Sequence, residues 1–426
     1  INNLYYKIYR PNGTVALSGL WNSTIGSTGS IDTYAKAIIG PNIGGVTTGY
    51  TPLNFNPDVN GEHWIEFYRS NDGGTTAITS STNGRAFGAL FDLTVARRNG
   101  TQQKFDGRVY CTKWGFGAAD SNYAVAINAT AEPVLIAYTN DQVLIKVEFT
   151  AGFQPIAFDV AVNSYGVSNT GNFAVDRRSR NDATAPSLIG GFKVFVNTPD
   201  VNVFPVGSIP GVPNFLTPAI TGCNPYQIHF NISEPGDVKI LVDLNGTPGY
   251  QANTSDRILE FFDLPAGNNS VTWDGNDGNG NPIGTNINFN LTLTFLKGRF
   301  NVPLYDAELN KNGLKVAIIA PIAIANAKMF WDDFLMLNVG LLCNNNNNNT
   351  TGGGLLNPFV GTTSPAHAWS GNGNFGQTIP APNVGGNDTD AVQCNDFGNV
   401  RTINTWGWGI TSSTTSIAVS SNCSDL

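Results

Sequence analysis

One pattern, repeated three times between Asp237 and Gly313, constrains this chain most: a short apolar run that ends in a cluster of Asp, Asn and Gly. The runs read DVKILVDLNGTPGYQ, SVTWDGNDGNGNPIG and PLYDAELNKNGLKV. Apolar runs that stop in turn residues predict strand-to-strand loops of an extracellular β-sandwich. Oxygen-bearing side chains fall on alternate residues in each cluster. They are Asp243 and Asn245; Asp277, Asn279 and Asn281, with Asp274 just before; and Asp306, Glu308, Asn310 and Asn312. A turning backbone with that spacing can aim several hard oxygens at one point, which is how Ca²⁺ is held. The expected ion is therefore Ca²⁺, with the role of stiffening the joints between strands. None of the clusters carries the full EF-hand pattern with its Glu at the twelfth position. The same residue types also build ordinary turns, so both uses stay open.

A chain of 426 residues has room for several domains. Its apolar content of 41% is enough for a packed core, while 48 Gly and only 2 Met suit many short strands joined by turns. The net charge of −8 argues against nucleic acid as a partner, because that binding needs clustered Lys and Arg. Arg177, Arg178 and Arg180 are the nearest such cluster, and Asp176 and Asp182 flank them. No apolar run reaches membrane-spanning length, since the best one, from Val316 to Ala325, is broken by Pro321. The absence of Met before Ile1 suits a mature form, and sequons at Asn12, Asn99, Asn128, Asn231, Asn290 and Asn422 suit an extracellular setting.

The cysteines at 111, 223, 343, 394 and 423 show no CxxC spacing. Three of them, Cys343, Cys394 and Cys423, fall in a loop-rich final quarter. The expected disulfide joins Cys343 to Cys394 or Cys423. An odd count leaves a thiol free or paired with another chain.

From the first residue, strands are expected at LYYKIYR, VALSGLW, HWIEFYRS, AFGALFDLTVARR, GRVYCTKWGF, PVLIAYTNDQVLIKVEF and PIAFDVAVNSYG, separated by Asn-Gly and Asp-Gly turns. Trp64, Phe67, Phe91, Trp114, Phe116, Phe149 and Phe158 are expected to fill the core of this sandwich. A Pro-rich stretch before Cys223 reads as a linker or a wrapping segment. The expected organisation is an N-terminal sandwich with its linker over 1–222, an Ig-like sandwich over 223–328, and a Trp-rich, loop-heavy extension over 329–426. The fold class is all-β: tandem antiparallel β-sandwiches, jelly-roll or Ig-like, with long loops and little helix.

The segment VTWDGNDGNGNPIG is similar to a hairpin of hook-cap-like Ig modules in bacterial extracellular proteins. More widely, FDLTVA, NTGNFAVDRRS, FKVFVNTPDVNVFP, ILVDLNGTPGYQ, PLYDAELNKNGLKV, FWDD and FGNVRTINTWGWG together resemble a region of very large Bacteroidetes cell-surface proteins. Those proteins resemble gliding and adhesion proteins exported by type IX secretion. The resemblance implies a surface adhesin or structural role. Around Pro365–Trp369 the chain departs from the family's Cys–His–Trp element, keeping His367 and Trp369 without an adjacent Cys.

Trp406 and Trp408 alternate with glycine, which puts both indoles on one face of a strand. Packing over the Ig-like sheet is one use. With Trp369, a carbohydrate-stacking surface is the other. Neither a zinc-protease helix nor a nucleophile elbow is present, and no Gly-rich phosphate loop opens a helix. The expectation is a non-enzymatic extracellular structural or adhesion module, calcium-stiffened and part of a larger adhesin or surface filament. A carbohydrate-binding module and a polysaccharide-degrading enzyme are the alternatives. Expected partners are surface glycans, other cell-surface proteins or copies of this chain in an oligomer or filament, with edge segments such as Ile1–Arg10 open to strand exchange.

Overall fold

Strict alternation over the first residues builds the first sheet. A computed structural model of the chain describes residues 3–21, 24–79, 91–97, 103–117, 132–149, 157–180, 188–251, 253–305, 314–325, 327–331, 354–356 and 402–421. The chain divides into two compact units, Ile1–Val109 and Tyr110–Leu426.

In the first unit, β1 (Leu4–Tyr9) and β2 (Val15–Leu20) form a hairpin. Gly13 turns the chain at φ +85°, and Asn12 Oδ1 accepts the Thr14 N–H at 3.1 Å. A single helical turn and more, α1 (Tyr34–Ile39), starts where the Thr33 side chain accepts from Lys36 N. Then β3 (Trp64–Arg69) pairs with the free side of β1, giving the order β2-β1-β3. A two-residue ribbon, β4 (Val95–Ala96) with β5 (Lys104–Phe105), follows. Residues 4–9 therefore form the central strand, not an edge open to exchange. Tyr6 and Ile8 point to the buried side, whereas Trp64 and Phe91 are 47% and 60% exposed rather than in the core. Side-chain period decides this for Trp64: it lies opposite Tyr9, on the other face from Ile8 and its partner Ile65.

The second unit opens with β6 (Lys113–Gly117), β7 (Val134–Tyr138), β8 (Leu144–Phe149), β9 (Ala157–Ala161), the short α2 (Phe173–Asp176) and β10 (Lys193–Phe195). It continues with β11 (Asn214–Gly222), β12 (Tyr226–Ile232), β13 (Gly236–Asp243), β14 (Arg257–Leu264) and β15 (Gly267–Trp273). The last strands are β16 (Asn288–Tyr305), β17 (Leu314–Ala320), β18 (Met329–Trp331), β19 (Gly354–Leu356), β20 (Thr402–Ser413) and β21 (Ile417–Ser420). Every pairing between these strands is antiparallel, and the protein is all-β with two short helices among the described residues.

Two small sheets, β11-β12-β15 and β10-β7-β8-β17, pack against one large sheet in which β14-β13-β16-β20-β18-β19 run in order, with β21 and β9 also on β16. The first core lies between β11-β12-β15 and β14-β13-β16, built on Ile228, Phe230, Val271 and Trp273 facing Val238, Ile240, Leu291 and Leu293. The second lies between the other small sheet and the far half of the large one, joining Leu135, Ile145, Val147 and Val316 to Phe300, Val302 and Leu304.

The 18-residue β16 serves both cores. Odd residues Phe289, Leu291, Leu293 and Phe295 enter the first, and even residues Phe300, Val302 and Leu304 enter the second. The change of parity falls at Gly298, whose φ of +68° lies in the left-handed region that favours glycine. Its N–H bonds the Asp141 carboxylate at 3.1 Å, and a Cβ there would lie 2.8 Å from Val143 Cγ2. Strands from both sides of residue 222 thus share the second core, and β20 lies along β16 for most of its length. The Pro-rich stretch wraps the surface: Phe195 and Phe204 are buried while Val196, Val201 and Val212 stay exposed.

Candidate functional site

The first Asp/Asn/Gly loop follows β13. Its hub is Asp256, which is 3% exposed and sits one residue before β14. Oδ1 of Asp256 accepts the N–H groups of Leu244 (2.9 Å) and Asn245 (3.1 Å), and Oδ2 accepts the Gln251 N–H (3.0 Å). The Asn245 side-chain nitrogen then lies within 3.1 Å of Gln251 Oε1, Thr254 Oγ1 and Asp256 Oδ2. Three oxygens converge, as a cation would require, but an amide nitrogen holds their centre. Asn245 Oδ1 faces away and accepts the Thr247 N–H at 2.7 Å. Asp243, 5% exposed, accepts the Gly249 N–H with Oδ2, while its Oδ1 is buried without a hydrogen-bond partner.

In the second loop Asp274 is held by both terminal nitrogens of Arg257, at 2.8 and 3.1 Å. Asp277 Oδ1 accepts the N–H groups of Asn279 (2.9 Å) and Asn281 (2.8 Å), an Asx turn whose two amide side chains are exposed. Asp306, Glu308, Asn310 and Asn312 lie outside the described residues. Among those described, no group of three or more His, Cys, Asp or Glu stands ready for a metal. In both described loops carboxylates accept hydrogen bonds from nearby donors: loop N–H groups on Asp243, Asp256 and Asp277, and the Arg257 guanidinium on Asp274. Asn245→Asp would remove the central donor and leave oxygens facing one another. The expected result is a loss of about 1–3 kcal/mol in chelator, partly restored by Ca²⁺ to a greater extent than in the parent, read from melting midpoints with EDTA and with calcium.

Trp369 also lies outside the described residues, as do Cys343, Cys394 and Cys423. Cys111 carries a free thiol that donates to the Lys113 carbonyl at 3.0 Å, and burial pushes its pKa up to about 11. Trp406 and Trp408 are 2% and 6% exposed, so neither offers an open ring face to a sugar. Their alternation with glycine has a packing cause. The indoles pack with Phe173, Leu296, Phe262 and Phe330 on one side. On the other, a Cβ at Gly407 would meet the Lys328 carbonyl at 2.7 Å, and one at Gly409 would meet Val143 Cγ1 at 2.5 Å.

Around these rings three cations and three carboxylates interleave. The Arg177 guanidinium lies 4.9 Å from the Trp406 ring centre, the Lys239 ammonium 4.6 Å from that of Trp408, and the Arg299 guanidinium 4.4 Å from that of Phe173. Glu260 pairs with both Arg177 (3.0 Å) and Lys239 (2.9 Å). Burial opposes its charge, but those two cations outweigh burial and hold its carboxyl below the usual range. Arg299 bonds Asp237 through one terminal nitrogen and Asp263 through the other. Asp237 also accepts the Trp408 indole N–H at 2.8 Å and the Asp263 N–H at 3.0 Å. Burial nevertheless pushes the Asp237 carboxyl above its ordinary range, against the pull of Arg299.

A buried polar knot lies beside this face. Asn404 donates through Nδ2 to the Arg177 carbonyl (2.8 Å) and to Asn301 Oδ1 (3.0 Å), and its N–H bonds Ser179 Oγ (3.1 Å). Arg180 and Thr402 exchange backbone hydrogen bonds. Two motifs more than 200 residues apart, NTGNFAVDRRS and INTWGWG, are thereby docked on one another. Sequence reading missed Asp237, Lys239, Glu260 and Arg299, because each looks like an ordinary charge on a strand, and Asp256, because it looks like an ordinary loop carboxylate. The usable signal was that Asp237 and Lys239 sit two apart on a strand whose other face is Val238 and Ile240, so they share one face. No protein-family model, curated protein or solved structure matches the chain in comparisons with known proteins.

Proposed function

We infer that the chain is a non-enzymatic structural or adhesion module of an extracellular surface, working as a load-bearing piece of a larger assembly. The observation that carries this reading is β16, which runs through two cores as one continuous strand. A pull along the chain cannot open one sandwich without disturbing the strand that lines the other. Pairing with β13 on one side and β20 on the other adds ladders that must break together rather than in turn. The interleaved cations and carboxylates across β13, β14 and β16 pin the same sheet, and breaking a buried pair is costly. The resemblance to Bacteroidetes surface proteins supplies the setting: exported by type IX secretion and displayed outside the cell, beside surface glycans and neighbouring proteins.

Pulling the full chain from its ends in a force spectrometer tests this reading. The expected trace for the second unit is one rupture that releases both cores. Two separate ruptures, with the 223–328 strands leaving first at low force, would overturn it.

A further inference from the structure

The solvent side of the β2-β1-β3 sheet carries a feature that the load-bearing reading does not use. Tyr5, Lys7 and Tyr9 alternate on one face of β1, and their partners on β3 are Tyr68, Glu66 and Trp64. Tyr9 and Trp64 stack, with ring centres 5.1 Å apart and planes 15° from parallel. Tyr9 donates its hydroxyl hydrogen to Glu66 at 2.6 Å, and the Lys7 ammonium lies 4.5 Å from the Tyr68 ring centre. At the far end Tyr68 is buried, and its hydroxyl bonds the Gly74 carbonyl, so a loop caps that end. The near end is open: Trp64 is 47% exposed although one ring face is covered by Tyr9. Gly13 keeps the hairpin turn low there, since even a Cβ would come no nearer than 4.0 Å to Trp64 Cη2.

A tryptophan left this open in a sheet face is not serving the core, because Tyr6 and Ile8, on the opposite face, fill that role. Its surroundings select the occupant. Apolar ring faces alternate with a carboxylate, an ammonium and hydroxyls at single-residue spacing, which would leave an apolar protein patch with buried unpaired charges. A sugar chain matches the alternation, since each ring offers a C–H face to stack on an aromatic and hydroxyls to reach Glu66, Lys7 and Tyr9. The net charge of −8 disfavours acidic polysaccharides. We propose that Trp64 and Tyr9, with Glu66 and Lys7 beside them, form a binding platform for a neutral polysaccharide. Trp64 is the stacking surface, and the Tyr9 ring behind it fixes the indole's orientation. Glu66 accepts hydrogen bonds from sugar hydroxyls with the lone pairs left after it holds Tyr9.

The test is affinity electrophoresis of the full chain through gels containing neutral β-glucan, xylan or mannan, with alginate as the acidic comparison. The expected result is retardation by at least one neutral polymer and not by alginate. Trp64→Ala should weaken binding about ten-fold or more with an unchanged melting midpoint, as an exposed indole allows. Trp64→Phe should keep part of the affinity, and Glu66→Gln should weaken it without abolishing it. Retardation by none of the neutral polymers, stronger retardation by alginate, or full binding by a folded Trp64→Ala variant would overturn the proposal. The platform lies wholly in the first unit, so this experiment and the pulling of the second unit fail independently.

Discussion

Arg299→Ala is expected to destabilise the second unit by about 3–5 kcal/mol. Asp237 is 3% exposed and would keep its Trp408 and backbone donors while losing its only cation among the described residues. The loss is dominated by a charge left buried and unpaired, not by the worth of the pair itself. Two companion measurements separate those terms. Replacing both partners with apolar residues of similar volume, Arg299→Met with Asp237→Leu, should recover most of the loss, because no buried charge then remains. The second is pH. Burial already raises the Asp237 carboxyl in the folded state, and removing Arg299 raises it further. A carboxyl whose folded pKa is raised takes up its proton more readily folded than unfolded. Its favourable contribution is therefore complete below the unfolded value of about 3.9 and is lost as pH rises through the folded value. The Arg299→Ala deficit should accordingly be largest at neutral pH and shrink on acidification, read from denaturant midpoints across pH. A deficit that is the same at every pH would mean that lost packing against Phe173 and Phe262, not the stranded carboxylate, sets the cost.

Trp273→Ala should cost about as much, roughly 3–5 kcal/mol, for a different reason. Trp273 is fully buried, stacks on Tyr226 at 5.1 Å, meets Phe289 edge-on at 5.7 Å and donates its indole N–H to the Asn276 carbonyl at 3.0 Å. Truncation leaves a cavity in the first core and removes one of the two donors to the Asn276 carbonyl, which keeps Arg257 at 2.9 Å. What makes the variant informative is the reach of the damage. Phe289 belongs to β16, so the second core should melt with the first in one transition, seen as equal loss of hydrogen-exchange protection in β8 and β12. Protection surviving in β8 and β17 after β12 and β15 have opened would show that the cores are separate cooperative units.

Particular elements show where sequence reading succeeded and where it stopped. Alternation in YQIHFNI and DVKILVD marked strands with one apolar face, because side-chain period is a property of the local backbone. The turn residues of the two described loops marked their positions for the same reason. Their chemistry was not legible. Whether Asn245 turns its oxygen or its nitrogen to the loop centre depends on Asp256, eleven residues away, and whether Asp274 is free depends on Arg257. Trp406 and Trp408 were placed correctly on one face. That this face is a buried core followed from Phe173 and Phe330, contributed by distant segments. The core expectation for Trp64 fails because its pairing with Tyr9, set by the sheet register, puts it on the face opposite Ile8.

By itself, then, the sequence determined that this is a strand-rich, helix-poor protein with turns at Asp, Asn and Gly clusters, since those depend on contacts between near neighbours. Only the tertiary structure decided that one strand lines two cores, which carboxylates are already satisfied, and which aromatic rings meet water. Those properties belong to pairs of residues brought together across tens or hundreds of positions, and burial and hydrogen-bond partners have no value until the chain has closed on itself.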